Sequence, residues 1–355
     1  MTNAVTLASI ANSGYLRNRI INGNMVIDQR NSGASVTPTS DGVYTLDRWQ
    51  VSLSAASKFS VQRSSTAPAG FINSTIITSL SSYSVAVGDY FMFSQPIEGL
   101  NVTDFGWGSA SAQTVTLSFW VRSSLTGTFG GAIQNSAQNR AYPFSYTISS
   151  ANTFEYKTVT IPGDTSGTWL TTNGVGLFVR FGLGVGSTYS GTAGSWAGAQ
   201  LFSATGATSV VGTNGATFYL TGVQLEVGTQ ATPDEWRPYP IELQMCQRYC
   251  IVYGGDALYE RFAVGQAFTT TQAILLTFLP VEMRAIPSLT TIGSFGMTTA
   301  NAGQAAITSF TSDNPSKKIF EFIATASGGG LVAGNSTQVF ANNSTANRFI
   351  LSAEL

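Results

Sequence analysis

The sequence predicts an all-β chain assembled from antiparallel sandwiches. Three observations carry that prediction: apolar residues alternate with period two in run after run, Gly, Pro, Asn and Asp clusters punctuate the runs, and helical periodicity is almost absent. Short strands at fairly regular spacing fit stacked antiparallel sheets better than any helical architecture.

The elements follow in chain order. YLRNRIINGNMVIDQRNSG alternates from Ile20 to Ile27, breaks at Asn22-Gly23 and runs into the turn-rich NSGASVTPTSDG. Residues 1–40 therefore read as a leading strand or extended arm. KFSVQRSS, DYFMFSQPIEG and FEYKTVTIPG read as strands bounded by turn residues. In VTLSFWVR, Val115, Leu117, Phe119 and Val121 share one face. GLFVRFGLG repeats the pattern, with Leu177, Val179, Phe181 and Leu183 on one side and Phe178 and Arg180 on the other. The Gly-rich GLGVGSTYSGTAGSWAG, residues 182–198, is expected to be a long flexible loop, because its G-x-G is followed by neither a full dinucleotide fingerprint nor a P-loop lysine. Pro233, Pro238 and Pro240 disfavour helix and central strand alike and mark a domain boundary. IELQMCQRYC after them suits one short amphipathic helix, and strand patterns such as AILLTFLPVEM and KKIFEFIATA return to the end of the chain.

Composition removes several functions. Charged residues are 10% of the chain, against roughly 25% in an average soluble protein, and seventeen basic residues balance eighteen acids without forming a run. No electrostatic footprint for nucleic acid is present. The most apolar stretch, residues 273–283, is too short and interrupted to insert in a membrane. The first twenty residues lack a basic leader and a sustained apolar core, so no secretory signal peptide is expected. Histidine is absent, which removes the commonest general base and metal ligand near neutral pH.

The remaining candidate sites are few. Cys246 and Cys250, four apart, would share a face of a helix, but a zinc site would need carboxylates to complete its ligands, and a buried thiol pair at a domain joint is the better reading. No cofactor is expected; oxygen-rich loops leave a structural calcium open, without EF-hand-like spacing. Glycosidase chemistry needs a placed carboxyl pair, whereas Asp28, Asp41, Asp47 and Asp104 sit in turn-rich sequence where acids bond backbone amides. No catalytic residue is assigned. Trp107, Trp169 and Trp196 stand among Gly, Ser and Thr outside the alternating runs. They are the candidate saccharide-binding residues, as flat faces for sugar rings; the competing reading is that each plugs one end of a sandwich core. Trp49 and Trp236 read as structural.

RIINGNMVIDQRNSG, YTLDRW, FSQPIEG, LSFWVRSS, TIPGDTSGTW, GVQLEVGTQATPDEWRPYPIELQMCQRYC, PVEMRAIPSLT and the terminal ILSAEL follow one another in that order. Together they resemble a family of tailed-bacteriophage virion proteins of tail-fibre or fibre-like type, from about residue 17 to 355. One departure is Cys250, where the residue after CQRY is expected to be aromatic. The resemblance implies a jelly-roll β-sandwich akin to carbohydrate-binding modules, followed by a second, smaller β-sandwich domain, in a homotrimer on the virion. The implied division is a 1–40 arm attaching to other virion proteins, a 41–228 sandwich, a 229–250 joint and a 251–355 C-terminal β domain. TGVQLEVG would be the last strand of the first sandwich, with Tyr219, Thr221, Val223, Leu225 and Val227 on one face. The expected function is non-enzymatic recognition of host surface polysaccharide by a protein made in the host cytoplasm. The alternatives are a structural head or tail decoration protein and, third, a polysaccharide depolymerase.

Overall fold

The structure is a computed structural model describing residues 16–299 and 303–355. The first fifteen residues of the expected arm lie outside the described residues. The chain divides between Tyr239 and Pro240 into two compact units.

The first unit is a jelly-roll sandwich. Its strands are β1 (Val43–Leu46), β2 (Trp49–Leu53), β3 (Phe59–Ser64), β4 (Ser74–Ser79), β5 (Tyr90–Glu98), β6 (Val115–Ser123), β7 (Gly127–Asn135), β8 (Ala141–Ile148), β9 (Glu155–Ile161), β10 (Val175–Val185), β11 (Ser190–Gly191), β12 (Ser203–Ala204) and β13 (Thr217–Val227). One antiparallel sheet runs β1-β2-β5-β10-β7-β8 and the other β3-β4-β13-β6-β9, while β11 and β12 form a short parallel pair. The core lies between the two sheets. Val115, Leu117, Phe119 and Val121 of β6 and Leu177, Val179, Phe181 and Leu183 of β10 are fully buried there, as their alternation requires. Each such side chain contributes roughly 1.5–3 kcal/mol relative to exposure. Trp49, also fully buried, stacks on Phe93 at 4.9 Å and 7° and donates its Nε1–H to the Asn22 carbonyl. Trp236, expected to be structural, is instead 58% exposed.

Three expectations about this unit are corrected. Residues 17–40 are not a separate arm: Ile20, Met25 and Ile27 are buried, the first two in the sandwich core, and Arg19 N and Val223 N bond carbonyls of Leu225 and Gly23 respectively. The segment stays irregular because Asn22 and Met25 hold left-handed φ angles of 57° and 55°, which interrupt a strand. The uniform alternation expected along β13 fails at a β-bulge between Thr221 and Gln224, where Gly222 has φ 58°. Phe218 and Leu220 face the core before the bulge and Val223 and Leu225 after it, while Val227 is 40% exposed. Finally, the Gly-rich stretch is structured. Its glycines let β10 approach the chain above it, since a Cβ on Gly182 would sit 2.8 Å from Ser203 Oγ and one on Gly184 2.7 Å from Ser209 Oγ.

The division falls at the first residue of α1 (Tyr239–Gln247), whose remainder opens the second unit, and β14 (Cys250–Tyr253) follows. Cys246 therefore ends a helix and Cys250 begins a strand, so they do not share a helical face; both are fully buried thiols. β15 (Arg261–Ala267), β16 (Gln272–Phe278), β17 (Ser288–Ile292), β18 (Phe295–Thr298), β19 (Gln304–Ser312), β20 (Ile319–Ala326), β21 (Ser336–Ala341) and β22 (Arg348–Ser352) follow. Where a second sandwich was expected, β15-β16-β20-β19-β18-β21 close into a barrel, beside a three-stranded sheet β14-β22-β17. Closure removes exposed edges from strands that bury only alternate, often small residues, such as Ala263, Ala267, Ala273 and Ala324.

Candidate functional site

The three loop tryptophans are brought together, but against each other. Trp107 meets Trp169 at 4.7 Å and Trp196 at 5.3 Å, and Trp169 meets Trp196 at 5.5 Å, all near perpendicular. Every indole N–H is used inside the protein: Trp107 donates to the Gln113 carbonyl, Trp196 to the Pro162 carbonyl, and Trp169 to Asp164 Oδ2 and the Ser166 carbonyl. Asp164, 2% exposed, is gripped by both Nε and Nη2 of Arg140, which fixes the loop carrying Trp169 to the start of β8. The cluster packs on Phe105 and Tyr142 and encloses only about 40 Å³ on its Trp107–Trp169 side. Such a volume holds a water molecule and no sugar ring. The geometry is that of a plug at one end of the core.

The turn acids divide similarly. Asp28, Asp41 and Asp47 accept backbone N–H bonds from Gly33, Leu53 and Gln29 respectively, while Asp104 pairs with Arg19. Burial pushes the Asp28 carboxyl above its ordinary value, partly offset by the Gly33 and Asn31 amides.

A different surface has the features of a binding site. On the outer face of the six-stranded sheet, register places Arg180 of β10 opposite Ser94 of β5, which in turn lies opposite Gln50 of β2. Phe178 lies opposite Gln134 of β7 on the same face. The segment carrying Tyr189 and Phe202 folds over part of this face. Between it and the sheet opens a cavity of about 340 Å³, floored by Gln50, Ser52 and Arg180 and walled by Tyr90, Tyr189 and Phe202. Tyr189 and Phe202 stack at 4.9 Å and 26°, and Tyr90 stands edge-on to both.

Several polar groups of this face have no partner among the described residues. Arg180 is 3% exposed, yet among the described residues its Nε has no acceptor and its Nη1 meets Met92 Sδ alone, at 4.0 Å. Its guanidinium lies 4.2 Å from the Phe178 ring centroid and 5.0 Å from that of Phe202. Ser94 Oγ and both amide atoms of Gln134 are likewise buried without partners among the described residues. Native proteins leave few such groups, and each calls for a physical explanation. Burial lowers the Arg180 pKa to about 10, with the Asp41 charge and Tyr90 acting in the opposite sense. The Tyr90 hydroxyl is raised by burial and by Asp41. Sequence reading placed Arg180 correctly on the face away from the core but did not single it out. The available signal was a cation inside a strand apolar on both sides, next to Phe178.

The other sheet carries a second, more apolar groove. Trp120 of β6 and Tyr156 of β9 are directly opposed across the strands, with ring centroids 5.4 Å apart, and Phe71, Gly222 and Asp234 complete a cavity of about 580 Å³. Gly222 is required there, because a Cβ would lie 2.8 Å from Phe71 and 3.0 Å from Trp120.

No known family model matches the chain, and no curated protein matches it. Among solved structures it is similar to the enzymatically active domain of bacteriophage CBA120 tailspike protein 4, with 14% identity and a TM-score of 0.34. That match covers 60% of this chain and 22% of the tailspike chain. It is also similar to TmCBM61 solved with β-1,4-galactotriose, at 11% identity and a TM-score of 0.30 over 60% of this chain and 99% of that one. A third is the family 11 carbohydrate-binding module of Clostridium thermocellum solved with a β-1,3-1,4-mixed-linked tetrasaccharide, at 14% identity and a TM-score of 0.28 over 54% and 95% of the two chains. At these identities and scores the likenesses carry no functional conclusion.

Proposed function

We propose that the chain is a non-enzymatic virion fibre protein that binds host-surface saccharide in the cleft on the outer face of the six-stranded sheet. The observation that carries the binding is Arg180, which lines the open cavity and whose buried Nε has no acceptor among the described residues; the unpartnered Ser94 Oγ and Gln134 amide neighbour it in the sheet. A sugar offers hydroxyls that both donate and accept, and a C–H face for aromatic walls such as Tyr90, Tyr189 and Phe202. The virion role rests on the ordered sequence motifs that resemble tailed-phage fibre proteins, as do the homotrimer and attachment to other virion proteins. Among the described residues Asp41 is the acidic side chain that lines the cleft, whereas glycosidic cleavage uses a placed pair.

The test uses the purified full chain, fluorescently labelled, on a panel of bacterial cells with their own purified surface polysaccharides as competitors. Saturable binding, lost to one polysaccharide and lost in a Gln50→Ala/Ser52→Ala variant, with no release of reducing ends, is the expected result. Binding indifferent to both substitutions would move the saccharide to the Trp120–Tyr156 groove. Absence of binding from a folded oligomer would favour a structural decoration protein.

A further inference from the structure

Arg180 has an organisation that goes beyond generic sugar binding. It is almost wholly buried, and among the described residues no carboxylate forms an ion pair with it. Asp41 influences it electrostatically but is exposed at the rim, with Oδ1 committed to the Leu53 amide. The guanidinium carbon lies over the Phe178 and Phe202 rings, which offer no hydrogen-bond acceptor, so its donor capacity remains in the N–H groups. On that edge Nε has no acceptor, and Met92 sulfur is a weak one for Nη1. A buried cation packed against two aromatic rings, with one N–H unpartnered and another on a weak acceptor, is matched by a planar anion with two oxygens.

Resting on the reading of this cleft as a saccharide site, we propose that its ligand is an acidic sugar whose uronate carboxylate docks on the N–H edge of Arg180. Gln50, Ser52 and the aromatic wall then engage hydroxyls and ring of the same or an adjacent residue. Asp41 at the rim opposes the carboxylate at longer range, so its charge limits affinity. A solvent-exposed carboxylate is screened, and the effect is modest.

The experiment uses the full chain on a printed panel of bacterial polysaccharides. Each uronate-containing polymer is present intact and after chemical reduction of its carboxyls to neutral hexose, alongside polymers that contain no uronate. The expected result is binding to intact uronate polymers that falls at least tenfold on carboxyl reduction. Arg180→Met should lose binding by a similar factor, Arg180→Lys should lose less, and Asp41→Asn should gain a few-fold. Thermal unfolding of each variant checks the fold. Equal binding of intact and reduced polymers, weakened equally by Arg180→Met, would overturn the acidic specificity while retaining the cleft. Equal binding untouched by Arg180→Met would overturn the specificity and place the sugar elsewhere. Failure to bind any polymer would overturn the saccharide reading itself.

Discussion

Arg180→Met should make the sandwich more stable while weakening ligand binding at least tenfold. Lowering the guanidinium pKa from 12.5 to about 10 corresponds to about 3 kcal/mol of penalty on the charged form at neutral pH. Methionine retains an unbranched apolar stem between Phe178 and Met92 and sheds the charge. Contacts to the Phe178 and Phe202 rings are lost, at roughly 0.5–1 kcal/mol each. The net expectation is a gain of about 1–2 kcal/mol, or roughly 2–8 °C in the melting temperature of a unit this size. Tryptophan fluorescence is the right assay, because all six tryptophans precede residue 240 and so report the sandwich and not the barrel. Urea and thermal unfolding of the full chain would be followed at the indole emission. A variant less stable than the parent would refute the reasoning, since it would mean that Arg180 already has its counter-charge within the protein. A binding residue that destabilises its own fold is the expected signature of a site kept for function.

Two further outcomes follow from the core. Trp107→Ala removes a side chain 8% exposed and in contact with two other indoles, so it should cost about 3–5 kcal/mol and lower the fluorescence-detected melting temperature by roughly 6 °C or more, with the dissociation constant of the remaining folded protein for saccharide unchanged. A lost affinity at unchanged stability would restore the tryptophans as the binding residues. Tyr146→Phe should stabilise by about 1–2 kcal/mol at neutral pH, because the Tyr146 hydroxyl is buried without a partner among the described residues. Burial also raises the Tyr146 pKa above its ordinary 10.0, so the parent folds with its neutral phenol favoured below pH 10 and loses that advantage as pH rises further. The gap between variant and parent should widen by about 1.4 kcal/mol per pH unit above pH 10, measured by urea unfolding; a constant gap would show that the hydroxyl reaches solvent.

Strand existence was legible wherever alternation was unbroken, as in β6 and β10, because a period of two assigns each side chain to a face without reference to the rest of the chain. It failed where a single glycine shifted the register. Gly222 looks like any other glycine until Phe71 and Trp120 are seen closing over it. The Gly-rich segment failed for a related reason: composition reports that a backbone can bend, and only the neighbouring chain shows that Gly182 and Gly184 are needed for close packing. The tryptophans were correctly grouped as unusual loop residues, yet whether aromatic faces meet solvent or one another is settled by the distances between loops far apart in sequence.

By itself the sequence determined that this protein is built from β-strands, that its boundary lies among the prolines near residue 240, and that histidine-dependent chemistry is closed to it. These are properties of composition and local periodicity, which the backbone obeys residue by residue. Tertiary structure decided that the last strands close into a barrel, that residues 17–40 belong to the sandwich, and that the tryptophans form a plug. It also decided the candidate site. Arg180, Ser94 and Gln134 come from three strands adjacent only in the sheet, and whether a polar group finds a partner depends on which strands hydrogen bonding places side by side, information that no stretch of the chain carries alone.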